Sequence, residues 1–457
     1  MKSHLVLSVS LLALIAASCA PEPRLAVAPT VAADQWQQSG SGNATASWAA
    51  FGSPALDALI ARARAANADI AIAAARVVQA RGQLGVARAA ARPSLSASGD
   101  AGVFSGGGNR RFTAGNQTLG LDVAYDVDLF GRIAAGKRTG RAQLAASRFD
   151  RDAAALAVES EVARGFVQHA TFGARLALLN RALVNARELD RIIGVRVREG
   201  VATRVDSGLQ RIEVRRIEAE VSRVAESQIR TRNALAVLVG EEAPSFRLVG
   251  AELDAFARPA FDASRPGMLL VRRPDIRAAE ARIAAASGNI DAARAAFLPS
   301  LRLSGGSLLG GGSGGPLGLV VSAGSSLLAP IFSGGRLRGE LLTASGLQRE
   351  SVETYRRALL AGLSETEDAL AGVAQSDMRI SLLADTIVVA RTTARLARRQ
   401  YVEGAADLQI VLNAERGALD VEDAYAVALQ DRLEAAINLY RALGGGPELN
   451  AAETAAR

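Results

Sequence analysis

Leu119-Gly120-Leu121-Asp122-Val123-Ala124-Tyr125-Asp126-Val127-Asp128-Leu129 decides how this chain is read. Every odd position is apolar or aromatic, and every even one is acidic or small. A strand made of it shows leucine, valine and tyrosine on one side and Asp122, Asp126 and Asp128 on the other. Upstream, 94–103 alternates in the same sense, with Leu95, Ala97, Ala101 and Val103 against Ser94, Ser96, Ser98 and Asp100. Gly106-Gly107-Gly108-Asn109 between them reads as a loop tip, not as a phosphate loop, because it joins two strands. The pattern predicts a hairpin with strands at about 94–104 and 117–130.

Strands of roughly ten residues match the span of a tilted strand in an outer-membrane barrel. Barrels need at least about eight strands, and open edges are not tolerated in lipid. A chain with few strands therefore enters a membrane only by sharing a barrel with other copies.

The same design occurs twice. Sliding the chain by 206 positions aligns 69–95 with 275–301, and 14 of those 27 positions are identical. At 204 positions, Gly131-Arg132 meets Gly335-Arg336, Glu199-Gly200 meets Glu403-Gly404, and Gly240 meets Gly444. Alanine-rich composition inflates such matches, but it does not supply the paired Pro93-Ser94-Leu95 and Pro299-Ser300-Leu301. The second copy predicts strands at about 300–309 and 317–330 around a tip at 310–316, where Gly310-Gly311-Gly312 lies.

Around each hairpin the period changes to that of a helix. Residues 54–91 predict one helix, stopped by Arg92-Pro93. From Arg132 to about Arg198 there is no proline and a sustained apolar repeat, which makes a rod of ~100 Å at 1.5 Å per residue. It turns at Glu199-Gly200-Val201 and returns through 205–239. The second copy runs from about Leu337 to Val402, turns at Glu403-Gly404-Ala405 and returns through 408–443. Long antiparallel helical hairpins of this kind belong to coiled-coil stalks.

Composition removes most chemistry. Among 457 residues there are one Cys and two His, so intrachain disulfides and Cys/His metal sites are excluded, and a hydrolytic triad could use only His169. His169 reads as a packing residue, and no catalysis, metal or cofactor is expected. The net charge of +7 comes from arginines interleaved with acids along helices, as in Arg211, Arg215 and Arg216 beside Glu213, Glu218 and Glu220. That is a solvated helix surface rather than a nucleic-acid stripe.

Residues 1–18 read as a secretory signal, with Lys2 followed by the apolar run Leu5 to Ala17. The run ends Ala16-Ala17-Ser18-Cys19, which resembles the lipobox of bacterial lipoproteins and implies lipidation at Cys19, with Ala20 pointing to the outer membrane. Residues 20–47 lack a hydrophobic period and read as a tether.

Five stretches taken in order resemble one family: Trp48-x-x-Phe51-Gly52-x-Pro54, the paired Pro-Ser-Leu strand starts, Asp128-Leu129-Phe130-Gly131-Arg132, Arg272-Arg273-Pro274-Asp275-Ile276, and Leu439-Tyr440-x-Ala442-Leu443-Gly444-Gly445-Gly446. They look like the TolC-like outer-membrane factors, in the lipoprotein branch (OprM-like, NodT type) that serves RND multidrug efflux pumps. The resemblance covers 48–446. It implies an α+β membrane protein, duplicated as helix, hairpin and long helical hairpin. Three copies would share a twelve-stranded β-barrel, four strands from each, on a long α-helical coiled-coil tunnel. The expected division is signal peptide 1–18, lipidated tether and equatorial segment 19–53, first efflux repeat 54–240, equatorial linker 241–271, second repeat 272–446 and tail 447–457.

The implied role is a non-enzymatic exit duct in the outer membrane of a Gram-negative bacterium, reaching into the periplasm. It would pass drugs or other small toxic compounds delivered by an inner-membrane RND pump through a periplasmic adaptor. The family's gate maps onto Asp206, Gln210, Leu412, Asn413 and Arg416. Its adaptor-contacting tips map onto Glu199, Gly200, Val201, Glu403, Gly404 and Ala405. Asp122, Asp126 and Asp128 would face the barrel lumen. A type I protein-secretion channel shares the architecture but usually lacks the lipid anchor. A structural periplasmic coiled-coil lipoprotein is the remaining alternative, against which 119–129 alternates too cleanly.

Overall fold

The computed structural model describes residues 34–37, 47–106, 112–250, 252–263, 265–312 and 316–446. The signal segment 1–18, Cys19, most of the tether, residues 107–109 of the first glycine tip and the tail 447–457 lie outside the described residues. In chain order the elements are α1 (Pro54–Ala66), α2 (Ala68–Ala89), β1 (Ser94–Gly106), β2 (Phe112–Val127), α3 (Arg132–Arg198), α4 (Arg204–Leu238), α5 (Pro274–Ala295), β3 (Ser300–Gly312), β4 (Gly318–Leu328), α6 (Arg336–Val402) and α7 (Leu408–Ala442). They form two compact units. One is built on Val77–Ser147 and Ala278–Arg356, and the other on the described parts of Val31–Arg76, Arg148–Arg277 and Arg357–Arg457.

The first unit carries one antiparallel sheet in the order β1-β2-β3-β4. Its registers keep odd residues opposite odd ones, as in Leu119↔Leu309 and Leu301↔Leu327. Most of the larger apolar residues of the four strands therefore share a face, and that face is bare: Leu95 is 71% and Val321 74% exposed. The opposite face is mostly small and hydroxylated, with Ser96↔Asp122, Asp122↔Gly306 and Gly306↔Ser322 in one row. Glycine gives the carboxylate room in that row, since a Cβ on Gly306 would sit 2.9 Å from an Asp122 carboxylate oxygen.

Three expectations change here. The second strand starts at Phe112 rather than 117 and stops at Val127, because the next carboxylate serves the helix that follows. Asp128 Oδ1 accepts from the Ile133 amide at 2.9 Å and Oδ2 from the Ala134 amide at 2.7 Å, which caps the first turn of α3. Asp128 is thus a helix cap beyond the end of the strand. Gly310-Gly311-Gly312 is not a loop tip either, since it pairs with Thr118, Gln117 and Asn116 inside the sheet.

Below the strands, small residues let helices approach closely. Leu84 packs with Val77, Ala80 and Leu144, and a Cβ on Gly140 would come within 3.2 Å of Leu84. Arg138 pairs with Asp291 at 2.8 Å and Thr139 Oγ1 donates to the Ala285 carbonyl at 3.3 Å.

In the second unit, the expected single helix 54–91 is broken. Asn67 leaves the helical region at ψ 132°, and its Oδ1 accepts from the amides of Asp69 and Ile70 at 2.8 and 3.2 Å. Asn67 Nδ2 donates to the Leu238 carbonyl at 2.8 Å, so one side chain starts α2 and ends α4. The second copy does the same job with Arg273, whose Nη1 donates to the Ala442 carbonyl at 3.3 Å. An aromatic cluster of Trp48, Phe51, Phe261 and Tyr440 fills the centre of this unit. Trp48 Nε1 donates to the fully buried Glu159 at 2.8 Å, and Arg64 donates to the same carboxylate at 2.6 and 3.0 Å.

Candidate gate at the helical tips

Both long helices end on a glycine in the left-handed region, Gly200 at φ 73° and Gly404 at φ 82°. The following amides fold back, Val201 N onto the Arg196 carbonyl at 2.8 Å and Ala405 N onto the Gln400 carbonyl at 2.7 Å. The tips Glu199-Gly200-Val201 and Glu403-Gly404-Ala405 are thus the same C-capping turn made twice. Between them the hairpins share an apolar core of Leu189, Ile193, Ala397, Tyr401, Leu408, Val411 and Leu412. Leu412 is 2% exposed, and burying such a side chain stabilises by about 1.5–3 kcal/mol.

The five residues expected at the gate do different things. Asp206 is held in a capping box, accepting from the Thr203 amide and hydroxyl at 2.8 Å each. Gln210 is fully buried, donates Nε2 to the Ala186 carbonyl at 2.7 Å and leaves Oε1 without a partner. Leu412 belongs to the core, and Asn413 is exposed and accepts from Gln409 at 3.1 Å. Arg416 alone bridges the hairpins through charge: its Nε donates to Glu213 Oε2 at 2.8 Å and its Nη2 lies 2.6 Å from the same oxygen.

Glu213 was not singled out from the sequence and is central. Burial pushes its carboxyl up, but hydrogen bonds and charges from Arg216 and Arg416 together outweigh this and hold it below its ordinary value. Its signal lay in the pattern: it sits among Gln210, Val214 and Ile217, a charge on the buried stripe of α4. Two further ties were hidden by distance in sequence. Arg175 pairs with Asp423 at 2.6 and 3.0 Å, and Arg196 lies over the Tyr401 ring at 4.8 Å while donating to its carbonyl at 2.6 Å. Glu415 runs opposite to Glu213, since desolvation raises it more than Arg398 lowers it.

The other sequence candidates fall as follows. His169 is half-buried and held below its ordinary value, by desolvation first and then by Arg232. Among the described residues no group of His, Cys, Asp and Glu is placed to hold a metal, and no helix is long and apolar enough to cross a membrane. In the sheet, Asp122 and Asp126 share the polar face, with Arg302 3.9 Å from Asp126.

A family model described as outer membrane efflux protein matches residues 59–241 and 266–445, one stretch for each repeat. The pyoverdine export outer membrane protein OpmQ of Pseudomonas putida is 32% identical over 463 residues, 97% of each chain. The toluene efflux pump outer membrane protein TtgC of the same species is 29% identical over 471 residues, 97% of this chain and 96% of that one. The open-state MtrE outer membrane channel of Neisseria gonorrhoeae superposes with a TM-score of 0.82 at 27% identity, over 94% of this chain and 98% of that one. Both helical hairpins, the four-stranded sheet and the duplication that generates them are thus common property of proteins of one kind, and the chain belongs to the outer membrane efflux protein family.

Proposed function

We propose that three copies of this chain close a twelve-stranded barrel and form the lipid-anchored exit duct of a tripartite RND-type pump. A periplasmic adaptor would engage the tips Glu199-Gly200-Val201 and Glu403-Gly404-Ala405, and Cys19 would carry the lipid. The cargo class is small organic compounds, as the names of its relatives OpmQ and TtgC suggest for those proteins. The gate would lie where Arg416 meets Glu213, backed by the Leu412 core, with Asp206, Gln210 and Asn413 shaping the helix ends around it.

One observation carries this reading. The sheet has two outer strands, β1 and β4, with no neighbour among the described residues, and an apolar face left bare. Such edges in lipid require partners. The duplication supplies the register. Ser94↔Ala124 and Ser300↔Leu328 are equivalent pairs, so β1 maps onto β3 at 206 positions and β2 onto β4 at 204. The junction β2–β3 inside one chain is then the template for β4 of one copy against β1 of the next. Asp122↔Gly306 becomes Ser326 opposite Asp100 of the neighbouring copy. Ile331, 93% exposed, is the counterpart of Val127, which faces Leu301.

The test is a cysteine pair. Directly opposed residues have Cα atoms about 4.5–5.5 Å apart, within disulfide reach. Ser326→Cys with Asp100→Cys is expected to give covalent trimers on non-reducing gels, and Ser326→Cys with Ser96→Cys is not. Trimers from the second pair only would refute the register, and none from either would refute the shared barrel.

A further inference from the structure

Just inside the tips the four long helices line a half-open cavity of about 360 Å³. Its walls are unusually rich in guanidinium. Arg391, Arg395 and Arg398 stand at i, i+4 and i+7 on one face of α6, Arg181 comes from α3 and Arg416 from α7. Three carboxylates answer these five cations: Glu213, Glu415 and Glu422.

The pairings leave a surplus. Glu213 is taken by Arg416 and by Arg216, and Glu422 is taken in bidentate fashion by Arg391 at 2.7 and 2.8 Å. Arg181 reaches that same Glu422 only at 3.9 Å. Arg398 and Glu415 stand 3.8 Å apart, and burial favours the neutral form of that acid. Arg395 has no carboxylate partner among the described residues. Arg395, without a carboxylate, and Arg181, which shares Glu422 with Arg391, therefore give the cavity an excess of guanidinium, one from each repeat, on its solvent-exposed side. Planar guanidiniums recognise oxyanions by paired N–H donors.

We propose that this cavity binds one small multivalent oxyanion per chain, of the phosphate or sulfate type, between Arg181 and Arg395. The anion ties the long helix of the first repeat to that of the second. Its effect on conduction rests on the reading of the tips as the gate, whereas its binding does not. Affinity rises on mild acidification, as Glu415 takes up a proton beside Arg398, Arg395, Arg416 and the two remaining carboxylates Glu213 and Glu422.

The full-length protein in detergent is titrated calorimetrically with sodium sulfate and, separately, inorganic phosphate, at ionic strength fixed with chloride. Saturable binding at about 1 mM or tighter is expected, weakened about tenfold by Arg395→Gln and by Arg181→Gln with the oligomer mass unchanged. Sulfate, which does not titrate in this range, carries the pH series. No saturable heat with either anion overturns the site, as does an affinity indifferent to Arg395→Gln. Sulfate that binds without changing single-channel conductance leaves the site standing and counts against the tip gate.

Discussion

Glu213 and Arg416, 203 positions apart, meet across the two helical hairpins with 2.8 Å between Nε and Oε2. Both also line a cavity directly beside the Leu412 core. The pair joins elements that carry no covalent link near their tips, so it bears on how readily those tips part. Arg416→Ala is expected to raise single-channel conductance in planar bilayers. Asp206→Ala acts differently, by fraying the first turn of α4 at about 1 kcal/mol, and its conductance should rise less. Unchanged conductance in both variants would remove these residues from the gate.

Acid should affect the tip in two stages of opposite sign. Glu415 is raised by burial, so its ionised form disfavours the fold, and falling pH relieves this first. Glu213 is depressed, so its contribution is present above the ordinary carboxylate range and is lost as pH falls through its lower folded value. Thermal stability is expected to rise slightly on mild acidification and then drop. Glu415→Gln should abolish the rise and Glu213→Gln should blunt the drop, as read by melting curves between about pH 7 and 3.

Gly240 and Gly444 are the same residue of the two repeats, at φ 73° and 87°. A Cβ on Gly240 would run into the Ala66 carbonyl, and one on Gly444 would stand 2.7 Å from the Arg272 carbonyl oxygen. Alanine at either place adds left-handed strain to a backbone collision, for a cost of about 2 kcal/mol or more. Denaturant melts of both variants should show similar losses. A loss at only one would mean that the repeats are not packed equivalently.

Glu159 receives Trp48 and both arms of Arg64 with no exposure of its own. Glu159→Ala strands the indole N–H in the aromatic cluster and is expected to lose about 2–3 kcal/mol of stability. Trp48→Phe removes the donor as well, and in the double variant the two losses should not add. Additive losses would show that the indole N–H does not depend on Glu159.

The sequence was most legible where one period ruled. The proline-free run of α3 and the alternation of 119–127 gave their elements directly, and the matching glycines gave the duplication. It was least legible where a polar side chain works on the backbone of another segment. Asn67 breaks a helix that propensity alone would continue, and Asp128 looks like the next residue of an alternating strand until its carboxylate is seen on the amides of Ile133 and Ala134. At the tips the two capping turns were readable, but the charge partner of Arg416 was not. A glutamate three residues from an arginine on a helix reads as a surface pair, and only the packing of α4 against α7 makes Glu213 a bridge.

The polar face of the sheet is made largely of serine and glycine: Ser94, Ser96, Ser98, Gly120, Ser304, Gly306, Ser322, Gly324 and Ser326, with Leu308, Val320 and Leu328 as its larger apolar members. Asp100, Asp122 and Asp126 are its acids, with Arg302 3.9 Å from Asp126. On the proposed barrel, a passing molecule meets short hydroxylated side chains interrupted by those carboxylates. Dwell times along it should be short for neutral molecules. In that arrangement, discrimination among neutral cargoes must be applied before they reach the strands.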